Sequence, residues 1–152
     1  MSFPSSFTLV GNPNCGKSTL FNRLTGLTQK TSNLPGTTVE AMQGEIKVGQ
    51  ETIHLLDLPG IYSLYTKSED EGLVVKHLIR TDNDKHEAII FVMDASNLRR
   101  NLLLFSQVAE LQIPCACVLT MTDTAVRRGI DIDLLALQAA LGVPCIAFNP
   151  RK

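Results

Sequence analysis

Gly11-Asn12-Pro13-Asn14-Cys15-Gly16-Lys17-Ser18 fits the pattern G-x-x-x-x-G-K-[ST] at every fixed position. What stands on either side gives the match its weight. Phe7 to Val10 reads as an apolar strand and Lys17 to Thr25 as a helix, so loop amides and a helix N-terminus converge where an anionic phosphate can sit. Gly11 and Gly16 let the backbone come close, and Lys17 is expected to neutralise β and γ phosphates. Ser18 is the expected Mg²⁺ ligand, and Asn12, Pro13, Asn14, Cys15 and Thr19 complete the expected nucleotide contacts.

Outward from this loop, apolar runs alternate with amphipathic stretches, the pattern of a parallel sheet with helical crossovers. Val39 to Val48 and Glu51 to Asp57 read as strands joined at Gly49-Gln50, a hairpin that adds one antiparallel edge strand. A helix follows at Glu69 to Arg80, a strand at Ala88 to Asp94, a helix from about Asn97 to Leu111 and a strand at Cys115 to Thr120. Asp133 to Leu141 is the last clear helix, and Pro144 to Phe148 the sixth strand. The class is α/β, with helices on both faces. No linker or repeat divides residues 1–152, which read as one domain cut from something longer, because a covering helix is expected beyond the last strand.

Composition narrows the function. Of 152 residues 44% are apolar, enough for one core, and the longest apolar run, Ala88 to Met93, has strand length rather than the ~18 residues of a membrane span. The chain is therefore expected to be soluble. A net charge of −1 with both signs mixed throughout leaves no basic stripe for nucleic acid. The N-terminus lacks the marks of a secretory signal, so a reducing compartment is expected. Cys15, Cys115, Cys117 and Cys145 make no zinc spacing, and Cys115 and Cys117 read as buried thiols on one strand face. His54, His77 and His86 form no ligand cluster. Ser68-Glu69-Asp70-Glu71 reads as a helix cap with carboxylates favoured by the dipole, Asp94 and Ser96 as a strand-to-helix turn, and Arg99 and Arg100 as a solvated helix surface.

Asp57-Leu58-Pro59-Gly60 ends a predicted strand about 40 residues after the phosphate loop, where a carboxylate can hold Mg²⁺ through water and the Gly60 amide can meet a γ-phosphate. Between the two lies Asn33-Leu34-Pro35-Gly36-Thr37-Thr38-Val39-Glu40. One of its two threonines is expected to reach Mg²⁺ in the triphosphate state and to let go after hydrolysis. Residues alone do not say which.

Together these motifs resemble the G domain of the ferrous iron transport protein B (FeoB) family. The resemblance rests on Gly11-Asn-Pro-Asn14, Pro35-Gly-Thr-Thr-Val-Glu40, Asp57-Leu-Pro-Gly-Ile-Tyr-Ser-Leu64 and, most specifically, Asp94-Ala-Ser-Asn-Leu-Arg-Arg-Asn-Leu102. It covers residues 7 to about 148. It implies GTP and GDP as ligands, Mg²⁺ held by Ser18, Thr38 and Asp57, and Lys17, Thr38, Gly60 and Asn14 as the catalytic set. It selects Thr38 over Thr37. It also implies switch loops at roughly residues 28–40 and 57–72, with a helical domain and a membrane domain following in the full-length protein. On that reading the domain is cytoplasmic, the whole protein sits in the bacterial inner membrane, and iron permeation lies outside this fragment.

The departures from the family pattern matter as much. The guanine-reading motif, usually N-x-x-D, is Thr120-Met121-Thr122-Asp123. Asp123 can accept from guanine N1 and N2, whereas Thr120 lacks the amide that engages N7. The last motif aligns with Asn149-Pro150, and proline has no N–H for O6, unless the alignment shifts by one residue. Ile61 stands where many GTPases carry a water-orienting glutamine, so slow hydrolysis is expected. Asn14, by the resemblance, binds K⁺; alternatively it only tightens its own loop. Besides a slow GTPase, these departures leave open a nucleotide sensor with negligible turnover and a P-loop NTPase of relaxed base specificity.

Overall fold

The computed structural model describes residues 4–26, 29–79 and 87–149. Its strands are β1 (Ser6–Gly11), β2 (Lys30–Asn33), β3 (Glu40–Val48), β4 (Glu51–Asp57), β5 (Glu87–Asp94), β6 (Cys115–Thr120) and β7 (Cys145–Ala147). Its helices are α1 (Lys17–Thr25), α2 (Glu69–Ile79), α3 (Leu98–Ala109), α4 (Thr122–Arg127) and α5 (Leu134–Leu141). The seven strands form one sheet in the order β2-β3-β4-β1-β5-β6-β7. Pairing is parallel from β4 through β7 and antiparallel on both sides of β3.

The centre of the sheet is apolar on both faces, as strands covered by crossover helices must be. Leu9 and Val10 are both buried and, as neighbours in a strand, point to opposite faces. Val10, Phe91 and Met93 join Leu104, Phe105 and Val108 of α3 in one core, where Phe91 and Phe105 meet edge to face at 5.4 Å. Leu9, Leu55, Val92 and Val118 join Leu20 and Phe21 of α1 in the other. Cys117 faces its register partner Cys145, and both are buried free thiols; Cys115 is partly exposed.

Two elements are additional to the sequence expectation. β2 extends the hairpin edge, so the sheet has seven strands where about six were expected, with β3 the strand that runs against the rest. Its Lys-Thr-Ser-Asn sequence has no apolar alternation to announce it. α4 is six residues long, too short for a helical period to show. The predicted helix at Asn97 starts at Leu98 after a 3₁₀ turn over Ala95–Asn97, where Asp94 accepts from the Ser96 amide at 2.8 Å and its hydroxyl at 2.6 Å. Asn101, buried on α3, accepts from the Asp94 amide at 3.1 Å and donates to the Asn97 carbonyl at 2.8 Å. The Asp94–Leu102 motif is thus a strand-to-helix joint. The predicted helix end at Arg80, His86, and Pro150 of the last motif lie outside the described residues.

Candidate functional site

β1 ends at Gly11 and α1 begins at Lys17, so the loop between them lies at the C-terminal edge of the parallel strands. Asn14 at φ 62° and Gly16 at φ 87° are left-handed and turn the chain back on itself, in the kind of conformation whose successive amides form an anion-binding concavity. The Asp57–Gly60 turn is laced to this loop. The Asn12 side-chain amide donates to the Ile61 carbonyl at 2.8 Å and the Ile61 amide donates to the Gly11 carbonyl at 3.1 Å. A Cβ on Gly60 would lie 2.7 Å from Pro13 Cα and N, so no other residue fits without moving the loop. Asn12 Oδ1 is buried with no hydrogen-bond partner among the described residues.

These contacts shape a cavity of about 500 Å³ lined by Asn12, Pro13, Asn14, Gly16, Lys17, Ser18, Thr19, Gly60 and Met121. A smaller hollow of about 160 Å³ shares Gly16, Thr19 and Met121 with it and adds Thr120, Asp123, Thr124, Arg127, Phe148 and Asn149. The structure thus brings the phosphate motif and the base motif to two adjoining hollows. A larger space of about 650 Å³ lies toward the opposite strand ends, around Ser6, Thr8, His54, His77 and Glu87, and contains none of the motif residues.

Lys17 and Asp57 are both buried, and the Lys17 ammonium donates to Asp57 Oδ1 and to the Leu58 carbonyl. Burial raises the Asp57 pKa above the usual carboxylate value even though Lys17 pulls the other way. Burial likewise pushes the Cys15 thiol up to about 11, so it is an inert thiol inside the loop. Ser18 and Asn14 are exposed at the cavity, and Asn14 makes no side-chain hydrogen bond among the described residues.

Thr37 is engaged in its own loop, donating to the Leu34 carbonyl at 2.9 Å and accepting from the Val39 amide at 3.1 Å. Thr38 is exposed and is not among the residues lining the phosphate cavity. Of the expected Mg²⁺ ligands only Ser18 lines that cavity; Asp57 lies behind it, bonded to the lining Lys17. The Thr120 hydroxyl faces inward, onto the carbonyls of Cys15 and Met93. Asp123, about one-third exposed, has Arg127 one helical turn on at 3.8 Å. Sequence reading passed over Thr124, Arg127 and Phe148; the i,i+4 spacing of Asp123 and Arg127 was a visible signal. Arg100 is not simply solvated: its guanidinium stacks 4.2 Å from the Tyr62 ring centroid.

The sequence pattern described as ferrous iron transport protein B matches residues 5–152. The chain belongs to that family. The Fe(2+) transporter FeoB of Legionella pneumophila is 44% identical over 148 residues, which are 95% of this chain and 19% of the relative. The crystal structure of the G domain of the T. maritima FeoB iron transporter superposes with a TM-score of 0.85 at 36% identity, covering 96% of this chain and 87% of that one. The cytosolic domain of the same transporter in a GDP form gives 0.88 at 36% identity, covering all of this chain and 58% of the other. This chain spans about a fifth of the length of the curated FeoB relatives it matches.

The donor chemistry suits the cations the FeoB resemblance implies. Ser18 and Asp57 offer hard oxygens suited to Mg²⁺, which keeps several waters and takes one or two protein ligands beside phosphate oxygens. Asn14 offers an unengaged amide oxygen at the rim, a ligand type that suits K⁺. Among the described residues no group of three or more His, Cys, Asp or Glu could hold a metal ion, and no helix is long and apolar enough to cross a membrane.

Proposed function

We propose that this chain is the G domain of a longer FeoB-type ferrous iron transporter, binding GTP and GDP with Mg²⁺ and hydrolysing GTP slowly. The observation that carries this reading is the adjoining pair of hollows, one walled by the P-loop and the other carrying Asp123. The FeoB relatives in GDP forms support it.

In this mechanism Lys17 moves its charge from Asp57 onto the β and γ phosphates, and loop amides after Gly11 cradle them. Ser18, Asp57 and Thr38 would hold Mg²⁺, which when bound would offset charge developing on the transferred phosphoryl group. The Gly60 amide meets the γ-phosphate, so the 57–72 loop reads its presence. Ile61 is 1% exposed and aliphatic, so it cannot orient the attacking water, and slow turnover follows. Asn14 would hold K⁺, which would supply positive charge near the phosphates. Asp123 accepts from guanine N1 and N2, while Thr120 and the Asn149-Pro150 motif supply less than a full set of base contacts, so guanine preference is weakened.

On this proposal residues 1–152 form a single domain on the cytoplasmic side, followed by helical and membrane domains of an inner-membrane protein. Burial of Ile61 also favours a second reading, a nucleotide sensor with negligible turnover. Multiple-turnover phosphate release with GTP and ATP, in K⁺ and in Na⁺ at fixed ionic strength, tests both. Slow release favouring GTP and K⁺, with the K⁺ advantage lost in Asn14→Ala, is expected. No release above the Lys17→Ala background supports the sensor, and equal rates in the two salts remove K⁺ from the mechanism.

A further inference from the structure

Thr120 stands where the family pattern puts a base-reading asparagine, yet it is 3% exposed and its hydroxyl lies between two main-chain carbonyls, that of Cys15 in the phosphate loop and that of Met93 in β5, the latter at 3.1 Å. A threonine hydroxyl has one proton to donate. Carbonyls only accept, so that proton is committed within the trio, and none remains for guanine N7, itself an acceptor. The approach is close on the carbon side as well: a Cβ on Gly16 would lie 3.2 Å from Thr120 Cβ. Thr120 is also the last residue of β6, paired in register with Asp94, and it is followed at once by Met121 in a left-handed conformation and by α4, which carries Asp123.

We propose that Thr120 is a positioning residue that bolts the phosphate loop to the base-reading turn and makes no contact with the base. Its hydroxyl fixes the Cys15 peptide, and through it the depth of the phosphate cavity relative to Asp123. The inference rests on the nucleotide-site reading above and adds how the two hollows are held in one frame. It follows that the missing N7 contact is the other side of a loop tie made by the same group.

The test uses the full chain, with calorimetric affinities for GDP and for 7-deaza-GDP, which carries carbon in place of N7. The wild type is expected to bind both within about twofold. Thr120→Val keeps the shape, loses the hydroxyl and is expected to weaken both equally, by roughly fivefold, within the range of a lost neutral hydrogen bond. Thr120→Ser restores the hydroxyl and is expected to recover wild-type affinity. A wild type that prefers GDP over 7-deaza-GDP by threefold or more overturns the inference without any variant having to fold. So does a Thr120→Val protein with a lowered melting temperature but unchanged affinities measured well below it, which makes the hydroxyl merely structural. A wild type that binds neither nucleotide overturns the site reading and the inference together.

Discussion

The buried contact between Lys17 and Asp57 sets a competition that any phosphate ligand must enter. When Lys17 turns to a phosphate, Asp57 is left as a buried carboxylate facing further negative charge. Two like charges about 5 Å apart repel by roughly 3 kcal/mol at an effective dielectric constant of 20. The raised pKa of Asp57 has burial as its leading cause, so the ionised form is already disfavoured before a ligand arrives. On the proposed function, Asp57 would give its carboxylate to Mg²⁺ as Lys17 leaves it, which would relieve both strains. Asp57→Asn keeps an acceptor for Lys17 and removes the charge. It is expected to bind a non-hydrolysable GTP analogue more tightly than the wild type in excess chelator, by at least threefold, and to gain little from added Mg²⁺. Titration with and without Mg²⁺ decides it: a variant with the full wild-type Mg²⁺ dependence takes Asp57 out of the metal site.

At the scale of elements, α3 is tied to the loop after Gly60. Gln107 Oε1 accepts from the Leu64 amide at 2.6 Å and from the Ser63 hydroxyl at 3.1 Å, and Arg100 stacks on Tyr62. Upstream, Ile61 is bonded to Gly11 and Asn12, so residues 61–64 are held at one end by the phosphate loop and at the other by α3. Gln107→Ala leaves the Leu64 amide without its acceptor. It is expected to speed hydrogen exchange at residues 62–65 about tenfold or more while GDP affinity stays within twofold; unchanged exchange there means that other contacts hold the loop.

The same scale shows why some elements were legible in advance and others were not. α1, β4 and β6 have the bounds read from sequence, because a glycine-lysine motif, a Gly49-Gln50 turn and unbroken apolar runs mark their ends. β2 owes its strand conformation to hydrogen bonding with β3, a tertiary cause that Lys30-Thr-Ser-Asn33 does not encode locally. That Lys17, Ser18 and Gly60 would line one cavity was legible from their spacing at the ends of two predicted strands. The inward turn of Thr120 was not, since it depends on where β5 ends against β6. That Thr38 does not line the phosphate cavity was not legible either, because a sequence pattern names a threonine and not the position of its loop in a given structure.

For the whole molecule, both hollows open where β1, β4 and β6 end, on loops from several parts of the chain, so a nucleotide there would bridge segments that meet only in the folded state. A ligand that binds the folded chain alone stabilises it by RT ln(1 + [L]/Kd), about 2.7 kcal/mol when its concentration is a hundred times Kd. For a domain of this size each kcal/mol raises the melting temperature by roughly 2–4 °C. GDP with Mg²⁺ at that excess is therefore expected to raise Tm by about 5–10 °C, and ADP at the same concentration by distinctly less, because adenine presents an acceptor at N1 to the Asp123 carboxylate. Lys17→Ala should remove most of the GDP shift, since phosphate charge loses its buried cation. Asp123→Ala should shrink the difference between GDP and ADP and leave a shift common to both. Differential scanning fluorimetry over a concentration series reads all four cases. Equal shifts with GDP and ADP in the wild type would mean that the base hollow does not discriminate, and a full GDP shift in Lys17→Ala would mean that the P-loop is not where the nucleotide's binding energy arises.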